Sequence, residues 1–282
     1  LFVCDVKGLM LPMQVRLVGG IWEGEIVFQR TGSDDRLLFS SGEKTVASTP
    51  FSVQPGPAAS VSVACLAPYV AAGSRVMLEV VVKDALGNTQ TGFAGEVRLD
   101  CTDARAQIPP VVAFSPADCG AKTVEAVFTS AGTQKVRASL GTAVCELDVE
   151  VNPGPVDRFE IAPIPAQTAG KPFAVFVRAL DRFGNRTKGF LPAEGSSVRY
   201  TRQDFSSGTW MEEMVVTKAQ DACVIEISDT FGHTGRSNPF EVKPGPASGI
   251  VAELPAVAVR GVPVRIPVWV TDAYGNRASS AG

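Results

Sequence analysis

Histidine is almost missing from this sequence: 282 residues contain one, His233. A Ser or Cys nucleophile needs an imidazole to serve it, and a single histidine inside Thr230-Phe231-Gly232-His233-Thr234-Gly235 reads as a turn between strands. Acid pairs recur only as scattered residues, and a histidine-free carboxylate mechanism of the glycosidase type stays open as the alternative, one that repeat arrays rarely host. Helical periodicity is missing too, since no stretch repeats apolar residues at i, i+3 and i+4. No glycine-rich phosphate loop stands between a strand and a helix. Long apolar runs are missing as well: Val76 to Val82 is strand-sized and holds a charge, against the roughly 20 residues a membrane helix needs. Neither sign of charge dominates, with 26 Lys+Arg against 29 Asp+Glu, which leaves no basic face for nucleic acid and no acidic tail. The sequence starts at Leu1, so the lack of a leader carries no information about compartment.

What the sequence does have is turn residues and short apolar segments. Hydrophobic residues make up 45%, enough for packed cores, and 27 Gly and 20 Pro punctuate Val-rich runs. This pattern predicts an all-β chain.

An internal repeat organises it. Pro-Gly-Pro occurs at Pro55-Gly56-Pro57, Pro153-Gly154-Pro155 and Pro244-Gly245-Pro246, a period of 98 and then 91 residues. Behind each comes Asp-x-x-Gly-Asn: Asp84, Gly87 and Asn88; Asp181, Gly184 and Asn185; Asp272, Gly275 and Asn276. Each is preceded by a strand-like run (VMLEVVVKD, FAVFVRALD, VRIPVWVTD), and two domains close on STPFSVQPGP and SNPFEVKPGP. Trp22 and Trp210 open matching segments, GGIWEGEIVF and SGTWMEEMVV. A period near 100 residues is too long for a solenoid unit and fits a β-sandwich domain. The phase predicts complete domains at 57–152 and 155–243, the second half of a domain at 1–54 and the first half of another at 247–282, a window onto a longer array.

Each motif has a physical reading. In Asp-x-x-Gly-Asn the glycine accepts a positive φ and the Asp and Asn side chains satisfy turn N–H groups; the alternative is a calcium site at the domain joints, for which no second acidic cluster stands in register. Pro-Gly-Pro predicts short, stiff joints and an extended rod, with a hinge at the glycine as the competing reading. Trp22 and Trp210 are expected as core plugs, the rival role being exposed sugar-stacking platforms. Six cysteines, Cys4, Cys65, Cys101, Cys119, Cys145 and Cys223, form no C-x-x-C pair, so zinc chemistry is poorly supported. Two disulfides, Cys65–Cys145 and Cys101–Cys119, are expected, against the alternative of free thiols. Asn185-Arg186-Thr187 matches the N-glycosylation acceptor pattern; the other two turn asparagines lack it, which favours coincidence.

These pieces, above all TAGKPFAVFVRALDRFGNRTKGF, GTWMEEMVVTKA and SNPFEVKPGPAS, resemble the bacterial immunoglobulin-like repeats of large surface proteins and cover the chain repeat by repeat. They are also similar to filamin-type repeats, which share the S-x-P-F-x-V closing phrase and a strand ending in D-x-x-G-N. Either resemblance implies tandem immunoglobulin-like β-sandwiches acting as a non-enzymatic structural or adhesive scaffold. It would be extracellular or on the cell surface, with other copies of itself or other proteins of a surface or filament assembly as partners. An intracellular filamin-like cytoskeletal or ciliary crosslinker is the second reading. Accessory repeats of a carbohydrate-binding protein are the third, which exposed Trp22, Trp210 and Trp269 would favour.

Overall fold

A computed structural model describes residues 1–5, 7, 13–188 and 208–279. Residues before the first Pro-Gly-Pro supply β1 (Phe2–Asp5), β2 (Met13–Gln14), β3 (Gly32–Asp35), β4 (Leu37–Ser41), β5 (Lys44–Ala47) and β6 (Phe51–Val53). The next stretch supplies β7 (Ala58–Cys65), β8 (Val70–Ala71), β9 (Arg75–Asp84), β10 (Gly95–Cys101), β11 (Val111–Phe114), β12 (Ala121–Val127), β13 (Gly132–Leu140) and β14 (Ala143–Asn152). Beyond it follow β15 (Arg158–Ile161), β16 (Gln167–Thr168), β17 (Pro172–Leu180), β18 (Thr209–Val215), β19 (Gln220–Cys223), β20 (Glu226–Ser228), β21 (Thr234–Arg236) and β22 (Phe240–Lys243), then β23 (Gly249–Ala252) and β24 (Val268–Thr271). The described residues contain no α-helix, only a short 3-10 turn at Pro116–Asp118. The chain is all-β.

Two compact units divide at the second Pro-Gly-Pro, Leu1–Asn152 and Pro153–Gly282. In the first, one sheet has the order β12-β9-β7 and a second has β11-β10-β13-β14-β8. The chain crosses between sheets at the β7–β8 step: β7 pairs antiparallel with β9, whereas β8 joins the second sheet parallel to β14. Alternation explains the core. Along β9, Val76, Leu78, Val80 and Val82 face inward while Met77, Glu79, Val81 and Lys83 face outward, as a pleated strand with one buried face demands. Val97, Phe128, Val136 and Val151 close the core from the surrounding strands and loops. A buried carboxylate braces one corner: Asp103 accepts the N–H groups of Thr129 (2.6 Å) and Ser130 (2.9 Å) and the Ser130 hydroxyl (2.8 Å).

The second unit repeats the plan, with sheets β15-β17-β18 and β16-β22-β19 and a β20–β21 hairpin. Phe159, Val175, Val177, Trp210, Ile225 and Phe240 lie in its buried cluster. In the last segment the positions in phase with Phe159 and Val177 are Ile250 and Val268, and these are exposed. In the first segment β1 lies in a sheet of order β2-β1-β4-β5. Residues 22–31, expected to begin an alternating strand at Trp22, form no strand. The strand at this place in the next domain, β12, builds its ladder on β9, and among the described residues of 1–54 no strand stands in the place of β9.

Candidate functional site at the domain joints

The pleat delivers an aspartate to each of the first two joints: counting inward positions along β9 leads through Val80 and Val82 to Asp84, and along β17 through Val177 and Ala179 to Asp181. Asp272 directly follows β24, whose Val268 is exposed. All three are buried, at 4%, 0% and 4% exposure, so each carboxylate must find its partners inside the protein.

It finds them in the same way three times. One oxygen accepts two turn N–H groups: Leu86 and Asn88 on Asp84 (2.9 and 2.9 Å), Phe183 and Asn185 on Asp181 (2.9 and 2.8 Å), Tyr274 and Asn276 on Asp272 (2.9 and 2.9 Å). The other oxygen accepts the turn Asn amide, at 3.0, 2.7 and 2.8 Å. It also accepts the N–H of the linker glycine: Gly56 at 3.0 Å, Gly154 at 2.8 Å, Gly245 at 2.8 Å. The turn glycines sit at φ 85, 89 and 83, where a Cβ would be strained.

Four N–H donors fill the acceptor capacity of a carboxylate. The Asn88 amide, helped by the Gly56, Asn88 and Leu86 N–H groups, holds Asp84 below the usual carboxylate range against the upward push of burial. For Asp181 and Asp272 burial is the largest single influence and pushes upward, but the same donors outweigh it; Asp272 falls to about 2. Among the described residues no group of three or more His, Cys, Asp or Glu is placed to hold a metal ion.

The linker glycine is held on both sides. Prolines have no N–H, so Pro-Gly-Pro offers one donor, and the aspartate takes it. At two joints a side chain six residues beyond the aspartate also captures the glycine carbonyl: Gln90 Nε2 donates to Gly56 (2.9 Å) and Thr187 Oγ1 to Gly154 (2.9 Å). Ala278 occupies that place at the third. At Gly245 an added Cβ would meet the Ala169 carbonyl at 3.2 Å, so the close approach itself favours glycine there.

The turn asparagine has a second task that sequence reasoning missed. Asn88 Nδ2 donates to the Gln29 carbonyl (3.2 Å) and its Oδ1 accepts the Thr31 N–H (3.3 Å), both in the preceding segment. Asn276 does the same to its preceding domain: Nδ2 donates to the Thr217 carbonyl (2.7 Å) and Oδ1 accepts the Ala219 N–H (2.9 Å). Beside that clasp the Tyr274 ring lies on Gly170, where any Cβ would overlap it. At the third joint position i+2 of the turn thus supplies an apolar contact and position i+4 the polar one.

Other expected residues fall elsewhere. All six cysteines are free thiols, which corrects both disulfides. Cys101 and Cys119 lie at opposite ends of the sandwich. Gly95 stands opposite Phe114 on the β10–β11 ladder, Cys101 is six residues further along β10, about 20 Å at strand rise, and Cys119 follows Phe114 the other way. Cys65 and Cys145 sit at different levels: β8, just after Cys65, pairs with Val151 and Asn152, at the opposite end of β14 from Cys145. The Asn185 amide nitrogen donates to Asp181, and the acceptor-pattern Thr187 is buried against Gly154. Trp210 is buried at 5%, Trp22 is half-buried, and Trp269 is half-buried with the Arg277 guanidinium 4.5 Å above its ring. His233 belongs to a fourth turn of the same design: the Phe231 and His233 N–H groups both donate to one Asp229 oxygen at 2.9 Å, His233 Nδ1 lies 2.6 Å from the other, and Gly232 has φ 91. The equal spacing of Asp229–Gly232 and Asp181–Gly184 was the available signal.

No family model and no curated protein matches the chain. Solved structures do match in part. One is FdeC, an Escherichia coli adhesin, at 16% identity over 80% of this chain and 78% of that one, with a TM-score of 0.43. Another is invasin, a bacterial integrin-binding protein, at 16% identity over 79% of this chain and 49% of that one, TM-score 0.35. Domains 1–6 of the surface layer protein SbsC match at 13% identity over 99% of this chain and 39% of theirs, TM-score 0.30. The chain thus spans about half of the invasin structure and less of SbsC. No helix among the described residues is long and apolar enough to cross a membrane.

Proposed function

We propose that this chain is a stretch of a tandem immunoglobulin-like scaffold, a semi-rigid spacer of a larger cell-surface or filament-forming protein that presents protein-binding surfaces and performs no catalysis. The joint carries the reading. A linker glycine whose only neighbouring N–H donor is its own, locked to a buried aspartate and clasped by an asparagine to the backbone of the domain before it, transmits orientation and load instead of swivelling. Spending three buried carboxylates on joints makes sense where the relation between neighbours matters. The rest of the described structure holds turns and cores, and its one histidine is engaged in a turn. Buried Trp210 disfavours the sugar-platform alternative.

The test is the width of a distance distribution across the third joint, with spin labels at Glu213 and Ile250 read by pulsed dipolar spectroscopy. A narrow single peak is expected, and it should broaden in Asn276→Ala. A broad distribution in the unaltered chain would restore the glycine-hinge reading.

A further inference from the structure

A ladder that is complete in one domain is half-built at two other places. Strand β17 pairs with β15 through residues 177–180 and with β18 through residues 172–178, so among the described strands 172–176 are laddered by β18 alone. One period of 91 residues later, β23 and β24 keep the β15–β17 register: Gly249 stands opposite Thr271 and Ala252 opposite Val268, as Arg158 opposite Leu180 and Ile161 opposite Val177. Yet β24 begins only at Val268, and residues 263–267, in phase with 172–176, form no strand. Residues 22–27, in phase with 210–215 of β18, form none either. Extended backbone holds its shape by pairing, and each of these segments lacks the neighbour that the other would be.

Superposing the phases fixes how they would meet. Val177 opposite Trp210 becomes Val268 opposite Trp22, and Ala174 opposite Glu213 becomes Arg265 opposite Glu25. The inward face matches, because Ile266 and Val268 are 43% and 60% exposed where Val175 and Val177 are buried, and Trp22 and Ile26, both half-buried, would cover them. The outward face matches in charge: Arg265 and Glu25 are exposed, and directly opposite they would form a cross-strand ion pair. Pro267 is no obstacle, since its carbonyl accepts the Glu253 N–H (3.1 Å) and the position therefore points to the β23 side, where the new ladder needs no donor. We infer that residues 22–27 of one copy of this chain add, antiparallel and in this register, to β24 and residues 263–267 of a second copy, on the side away from β23. The added segment and the receiving strand are different surfaces, so the contact is heterologous and joins copies head to tail. The spacer proposal is tested within one chain and this contact between two, so either can fail without the other.

Sedimentation velocity of the intact chain, from about 1 μM to about 1 mM, tests it. The unaltered chain is expected to grow from monomer into species longer than a dimer as its concentration rises. Arg265→Glu and Glu25→Arg should each weaken association at least about threefold, and the two combined in one chain should restore it. Val268→Glu disables the receiving strand and Trp22→Ser the added segment, so each variant should be monomeric by itself. Mixed in equal amounts they should form a dimer and nothing longer, because one working segment and one working strand remain between them. A chain that stays monomeric throughout overturns the inference, as does growth that Val268→Glu leaves unchanged. Association that persists in Trp22→Ser alone, the mark of two β24 edges pairing with each other, overturns it too.

Discussion

Replacing Asp181 by Ala should release the linker glycine Gly154 and destabilise the domain that follows it. The side chain is fully buried and accepts the Gly154, Phe183 and Asn185 N–H groups and the Asn185 amide, all between 2.7 and 2.9 Å. Removing it strands the buried Gly154 N–H, which costs about 1–3 kcal/mol, while the turn donors, nearer the surface, recover part of their loss from water. A total of about 3 kcal/mol follows, equivalent to a fall of roughly 15 °C in the transition of a domain this size. The assay is calorimetry of the whole chain, with hydrogen exchange on peptides from 155–243 to assign the transition that moves. Asp181→Asn sharpens the test, because an amide keeps one acceptor oxygen but can turn an N–H donor toward Gly154; it should fall between the parent and Asp181→Ala. A shift below about 4 °C for Asp181→Ala, near 1 kcal/mol, would refute the claim that the carboxylate organises the turn and the linker glycine.

Two further outcomes follow from the same geometry. Asp103 is held at about 2: burial pushes its carboxyl up, but the Thr129 and Ser130 N–H groups, the Ser130 hydroxyl and the Arg105 N–H pull it down further. A depressed carboxylate stabilises fully above its unfolded value near 4 and loses that contribution as pH falls through about 2. It should therefore add about 2 kcal/mol at neutral pH, and an Asp103→Asn chain should show a flatter urea midpoint between pH 5 and 2 (approximate bounds); an equally steep decline would count against it. Under native, non-reducing conditions all six cysteines should be alkylated eventually, exposed Cys119 first and buried Cys223 last; a mass consistent with an intact Cys65–Cys145 or Cys101–Cys119 bridge would contradict the free-thiol structure.

The sequence was most informative where chemistry is local. The turn glycines had to accept positive φ, and Asp84 and Asp181 sit in phase with the inward residues of β9 and β17, so fold class and turns follow from alternation and spacing. The clasp was invisible because its other half is backbone: Gln29, Thr31, Thr217 and Ala219 share no side-chain chemistry for a motif to display. The disulfides were misjudged because pairing depends on the level each residue reaches along its strand. That level comes from ladders such as Gly95 with Phe114, and cysteine spacing does not encode it.

The clasp reads only main chain on its receiving side, which bears on how such an array changes over generations. Receiving loops as different as Gln29-Arg30-Thr31 and Thr217-Lys218-Ala219 are gripped alike. A duplicated or transplanted repeat carries its own aspartate and asparagine with it and needs nothing particular from the loop it lands on. On the proposed spacer reading, length could then vary by whole repeats at junctions built like the first and third, and the outward faces would be left free to diverge.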